Sequence, residues 1–69
     1  MERFVLIENR IRKILKSGEK KFYIRLKYFS ETFFVSLEET EVYFDERGFT
    51  VVSENRIENF QYEDILEIF

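Results

Sequence analysis

Between Lys20 and Phe29 the chain reads KKFYIRLKYF, in which four cations and four aromatic rings are interleaved with two aliphatic side chains. Cations at that density hold anionic groups, and rings set among them either stack on nucleobases or pack against a protein surface. Lys20, Lys21, Arg25 and Lys27 would meet phosphates or carboxylates, while Tyr23 and Phe29 supply stacking or packing area.

Little else in the chain can do chemistry. With no His and no Cys, the usual general base and the thiol nucleophile are missing, and a Ser-His-acid triad cannot be assembled. Ser17, Ser30, Ser36 and Ser53 fall at predicted turns or on a strand, where hydroxyls satisfy backbone groups. The glycines are Gly18 and Gly48, too far apart for any phosphate-cradling loop. Three carboxylate clusters occur: Glu38, Glu39 and Glu41; Asp45 and Glu46; Glu63 and Asp64. None has the regular spacing around a turn glycine that a calcium loop needs, and all read as solvated turns and charged strand edges. The expectation is a protein that binds rather than catalyses, with no cofactor, metal or small-molecule substrate.

The elements that must position KKFYIRLKYF follow from hydrophobic period. In residues 2–16 Phe4, Ile7, Ile11, Ile14 and Leu15 form one helical stripe, Lys13 and Lys16 suit the last turn, and Gly18 stands where a helix-ending glycine belongs. From Lys20 the period becomes 2. Phe22, Ile24, Leu26 and Tyr28 share one face of a strand, and Lys21, Tyr23, Arg25, Lys27 and Phe29 the other. A turn at 30–32 leads to a second strand, with Phe33, Val35 and Leu37 opposite Phe34, Ser36 and Glu38, and Glu38-Glu39-Thr40 reverses the chain again. EVYFDERGFTVV is a hairpin pattern, in which Gly48 is expected to take a left-handed conformation closing a bulged turn. After a turn at Ser53-Glu54-Asn55, residues 56–62 form a strand whose alternation slips near Asn59, where a bulge is expected. The terminal YEDILEIF fits either a helical turn or a closing strand.

Together these predict a single domain over residues 1–69, of the α+β class and mainly β. An N-terminal helix precedes a five- or six-stranded antiparallel small barrel or curled sheet. This order of elements resembles the Sm-like and SH3-like small barrels. The frame of a helix, a first strand ending in Tyr28 and a terminal YEDILEI is also similar to the YolD-like family of short bacterial proteins. SETFFVSLEET lacks the Gly and Asp of the Sm signature at matching places, so the RNA-binding residues of that family do not carry over to this chain.

A domain of 69 residues buries only about 60% of its unfolded surface, so stability must come from dense aromatic packing or from assembly. Nine Phe and four Tyr supply the first. These rings are more than such a core encloses, and on the first two strands both faces carry them, which points to an interface. Charge is divided along the chain. Residues 1–29 hold nine Lys/Arg against Glu2, Glu8 and Glu19, a balance of +6, whereas residues 30–69 hold Arg47 and Arg56 against eleven acids, a balance of −9. Such halves suit head-to-tail self-association or steering toward a charged protein.

The first expectation is therefore a protein-binding module, a regulator or inhibitor of a partner or a self-assembling homo-oligomer, binding through Tyr23, Arg25, Lys27, Phe29 and Phe34. The alternative is single-stranded nucleic acid held by residues 20–29, against which the pI of about 5.0 argues. The longest apolar run is Phe4–Ile7 and no cleavable leader pattern is present, so a cytoplasmic protein without a membrane span is expected. Absence of Ala, Pro, Cys, His and Trp beside abundant Phe, Ile, Lys and Glu suits a phage, plasmid or low-GC bacterial gene.

Overall fold

Helix α1, Glu2–Lys16, opens the computed structural model, which describes residues 2–69. Its inward stripe is Phe4, Ile7, Ile11 and Ile14, with Ile11 and Ile14 buried. Leu15, expected on that stripe, is 37% exposed and lies outside the core. Ile14 takes the core-facing place in the last turn, and Leu15, about 100° further round, rotates past it. The Ser17 amide donates to the carbonyls of Lys13 and Ile14 at 3.0 and 3.2 Å, and Gly18, at φ 78°, turns the chain away as expected. At the other end Arg3 donates to the carbonyl of Tyr62 at 3.1 Å and to that of Ile65. These bonds tie the start of the helix to a segment near the end of the chain.

Six antiparallel strands follow in two three-stranded sheets. The strands are β1, Lys21–Leu26; β2, Thr32–Ser36; β3, Glu41–Phe44; β4, Gly48–Val52; β5, Ile57–Gln61; and β6, Ile65–Ile68. Sheet A has the order β2-β1-β6 and sheet B the order β3-β4-β5. A 3-10 turn, Tyr62–Asp64, carries the chain from β5 in sheet B directly into β6 in sheet A, so YEDILEIF is first a turn and then a strand. The other link between the sheets is residues 37–40, where Glu39 at φ 56° breaks the extended path between β2 and β3. The architecture is a curled pair of sheets rather than a closed barrel.

Three local expectations are corrected. Tyr28 was expected to share the inner face with Phe22, Ile24 and Leu26, but β1 ends at Leu26 and Tyr28 sits in the following turn, 79% exposed. The Lys27 amide donates to the carbonyl of Asp64 at 2.8 Å just beyond a register shift between Arg25 and Leu26, where β1 parts from β6. The apolar alternation continues in the sequence while the backbone has already turned.

The bulge expected near Asn59 is absent, because β5 keeps unbroken register on β4 from Gly48↔Gln61 to Val52↔Ile57. Ile57 simply lies on the outer face at the strand end, opposite Val52, 72% exposed. Gly48 does not take a left-handed conformation either. The hairpin is closed by the Asp45 carboxylate, which accepts from the amides of Arg47 at 2.7 Å and Gly48 at 2.9 Å. Glycine is required at 48 for another reason: a Cβ there would stand 1.9 Å from the carbonyl oxygen of Phe60, inside the backbone of β5.

The core lies between the sheets and under α1. Phe49 is fully buried, with the rings of Phe22, Phe44, Phe60 and Tyr62 around it at centroid distances of 6.3, 6.3, 5.2 and 6.3 Å. Tyr62 is buried beneath the helix, packs against Phe4 at 5.4 Å and donates its hydroxyl to Glu8 Oε1 at 3.2 Å. Glu8 in turn pairs with Arg12 at 2.8 Å, and the Arg12 guanidinium lies 4.2 Å from the Phe44 ring centroid. Among the described residues, no helix is long and apolar enough to cross a membrane.

Candidate interaction face

Alternation in β1 sends Phe22, Ile24 and Leu26 into the core and turns Lys21, Tyr23 and Arg25 outward. The neighbouring strands extend that outer face. Tyr23 stands opposite Phe34 of β2, and on its other side it exchanges backbone hydrogen bonds with Phe69, at 2.6 Å (Tyr23 N to Phe69 O) and 2.9 Å (Phe69 N to Tyr23 O). Three rings therefore form a row across sheet A. Phe34 and Tyr23 have centroids 5.6 Å apart and tilted by 55°, and Tyr23 and Phe69 are stacked at 5.7 Å and 26°. Phe34 is 57% and Phe69 43% exposed, with Tyr23 half-buried between them.

Cations border the row. Lys21 Nζ lies 5.9 Å from the Tyr23 ring centroid, and the Arg25 guanidinium lies 5.8 Å from that of Phe69. Arg25 also faces Glu67 across the β1–β6 pair at 3.8 Å, with both side chains more than half exposed, so this contact is worth at most about 1 kcal/mol. From Tyr23 and Phe69 the face continues into a cleft of about 320 Å³ against the last turns of α1, which Arg10, Lys13 and Lys21 line together with Glu19. Among the described residues, Arg10, Lys13 and Lys21 form no ion pair.

Of the five residues expected to bind, the structure brings together Tyr23, Arg25 and Phe34. Lys27 and Phe29 lie in the turn after β1, where Phe29 meets Phe33 edge-on at 5.7 Å. They drop out for the reason that exposes Tyr28: the strand ends early. Phe69 and Lys21 join the face instead. Lys21 was legible as an outward residue of the first strand, whereas Phe69 reaches the face only through β6 pairing with β1, a contact between opposite ends of the sequence.

The acids that offset these cations lie mostly elsewhere: Glu41 on β3, Glu58 on β5, and Glu38, Glu39, Asp45, Glu46 and Glu54 in the turns that flank the strands of sheet B. Their local pairings are short in range. Tyr43 donates its hydroxyl to Glu41, which raises the Tyr43 phenol above its ordinary value, chiefly through that hydrogen bond and then through the Glu41 charge. Arg56 pairs with Glu58 at 3.5 Å. Burial, reinforced by the Glu8 charge and hydrogen bond, raises the Tyr62 phenol far more strongly. Compared with protein-family models, with curated proteins and with solved structures, the chain matches none.

Proposed function

We propose that this chain is a small protein-binding module whose outer face on sheet A, centred on Tyr23 and Phe34 with Phe69 and Arg25, docks an acidic partner protein. The observation that carries the reading is the exposed row Phe34–Tyr23–Phe69, flanked by Lys21, Arg10 and Lys13, which form no ion pair among the described residues, and by Arg25, whose one ion pair is the exposed contact with Glu67. Rings and Arg at the centre of a patch are the population that dominates interface energy. The surrounding charge of Arg10, Lys13 and Lys21 calls for a partner of opposite sign and would speed its encounter. A regulatory or inhibitory role suits a chain that offers a surface and no reactive group, and the proposed setting is the cytoplasm. The element order that resembles the Sm-like and SH3-like small barrels adds a scaffold of that kind to the proposal; the function itself is argued from the face.

Single-stranded nucleic acid is the second reading, favoured by the same cations beside Tyr23 and Phe69. It ranks lower because the rings are engaged with each other: centroids 5.6 and 5.7 Å apart leave no room for a base between them. Base platforms on sheets work through free ring faces.

The test is a partner isolated on the wild-type chain, purified, and titrated against wild type and the Tyr23→Ser/Phe34→Ser double variant. Loss of binding by a variant with an unchanged circular dichroism spectrum supports the face. Unfolding of the double variant would mean that the rings belong to the core. Salt-dependent binding of single-stranded oligonucleotide that falls on Arg25→Ala and Lys21→Ala would favour the nucleic-acid reading instead.

A further inference from the structure

We infer that the free edge of β2 pairs with β2 of a second copy, joining two sheets A into one continuous sheet across a twofold axis near Phe34. Hydrogen-bond parity identifies the edge. The Leu37 amide donates to the carbonyl of Lys20 at 2.8 Å, in the register that continues Lys21↔Ser36 and Phe22↔Val35. Because bonded and non-bonded pairs alternate in an antiparallel ladder, Val35 and Phe33 direct their backbone groups at β1. Thr32, Phe34 and Ser36 direct theirs away from it. The bonds of Tyr23 to Phe69, on the opposite side of β1, fit the same parity. Among the described residues, no backbone group pairs with those of Thr32, Phe34 or Ser36 on this edge.

An open row of donors and acceptors is a template for another strand, and edges are ordinarily guarded by charge, proline or a bulge. The other three outer strands each carry an acid: Glu41 on β3, Glu58 on β5 and Glu67 on β6. Strand β2, TFFVS, carries none, has no proline and keeps regular register on β1. Among the described residues it is the outer strand without such a guard.

Its sequence names the occupant. Antiparallel pairing about Phe34 sets Thr32 against Ser36, Phe34 against Phe34 and Phe33 against Val35 of the second copy. Hydroxyl with hydroxyl, ring with ring and ring with β-branched side chain are favourable cross-strand pairs. A groove of about 260 Å³ runs along the same edge, between Phe34, Val35 and Ser36 on one side and Arg56, Glu58 and Phe60 on the other. On its far wall Arg56 and Glu58 pair with each other at 3.5 Å, so no unpaired charge there opposes a second strand. The inference rests on the reading of this protein as a binding module, and extends it from the ring face to the strand edge.

The test uses the purified full chain alone. Sedimentation velocity of wild type should give a concentration-dependent dimer. Ser36→Pro removes an edge amide that serves no bond to β1, and Thr32→Lys adds the missing charge; each should raise the dimer dissociation constant at least about tenfold, with the far-ultraviolet circular dichroism unchanged. Phe34→Cys, in a chain with no other cysteine, should oxidise to a covalent dimer, because opposed bonded residues stand about 5.5 Å apart between Cα atoms, within disulfide reach. Ile57→Cys, exposed on β5, should form no covalent dimer. A wild-type monomer at all accessible concentrations overturns the inference. So does a dimer that Thr32→Lys leaves intact, or equal cross-linking at 34 and 57. Any of these would leave the ring-face proposal standing, since that is judged by partner binding to Tyr23→Ser/Phe34→Ser.

Discussion

The two sheets have the same number of strands and share one core, yet the middle rows of their outer faces differ in kind. Across sheet A the row is Phe34–Tyr23–Phe69, three rings bordered by Lys21 and Arg25. Across sheet B the corresponding row is Tyr43–Thr50–Asn59, set by the registers Tyr43↔Thr50 and Thr50↔Asn59. There Thr50 donates to Asn59 Oδ1 and Tyr43 to Glu41, so the hydroxyls of this row bond within the sheet. Sheet B also exposes Tyr43 and Ile57, but in different cross-strand rows, and apolar side chains scattered singly need no partner. A face that leaves a continuous row of rings in solvent gains free energy when covered.

The largest effect comes from removing what both sheets share. Phe49→Ala empties the centre of the aromatic core and should cost about 3–5 kcal/mol, most of the stability of so small a domain, so that circular dichroism shows the chain unfolded or melting far lower. Gly48→Ala acts on sheet B through the Phe60 carbonyl and should cost about 3 kcal/mol. Gly18→Ala, where nothing lies within 4 Å of the added Cβ, should cost only the left-handed strain of about 1–2 kcal/mol. Equal losses at 48 and 18 in denaturant titrations would show that the β4–β5 approach is less tight than described.

Changes on the outer faces sharpen the contrast. Tyr23→Ser with Phe34→Ser loses ring pairs worth about 0.5–1.5 kcal/mol each, yet should weaken partner binding about 30-fold or more, the scale of a hot-spot loss. Tyr43→Ser on sheet B should leave partner binding unchanged. The smallest effect is in pH dependence. Folding raises the Tyr62 phenol above its unfolded value of about 10, so the unfolded chain releases that proton first. The associated stability is complete below that value and is lost as pH rises above it. In melts between pH 9 and 11, Tyr62→Phe should show a shallower alkaline decline than wild type, and identical declines would assign the effect to other groups.

Much of the fold was legible because period and turn chemistry are local. The helix with its closing Gly18, the inner residues Phe22, Ile24 and Leu26, and the hairpin around Asp45 and Gly48 are all written within a few residues of where they act. What was not legible depends on distant backbone. Gly48 is required by Phe60, β1 ends early where the Lys27 amide meets Asp64, and Phe69 reaches Tyr23 through pairing of β1 with β6. Arg3, whose bonds fasten the helix to the carbonyls of Tyr62 and Ile65, gave no sequence signal, because its partners are backbone atoms more than fifty residues away. Three of the five expected face residues come together because they alternate on paired strands; the two beyond the strand end do not.

The most direct test places a photo-crosslinking phenylalanine at position 34 in one sample and at position 43 in another, in otherwise unchanged chains in growing cells. Position 34 should give a discrete protein adduct, to a partner or a second copy, and position 43 none. Adducts of equal yield from both positions, or nucleic acid alone at position 34, would contradict the proposed face.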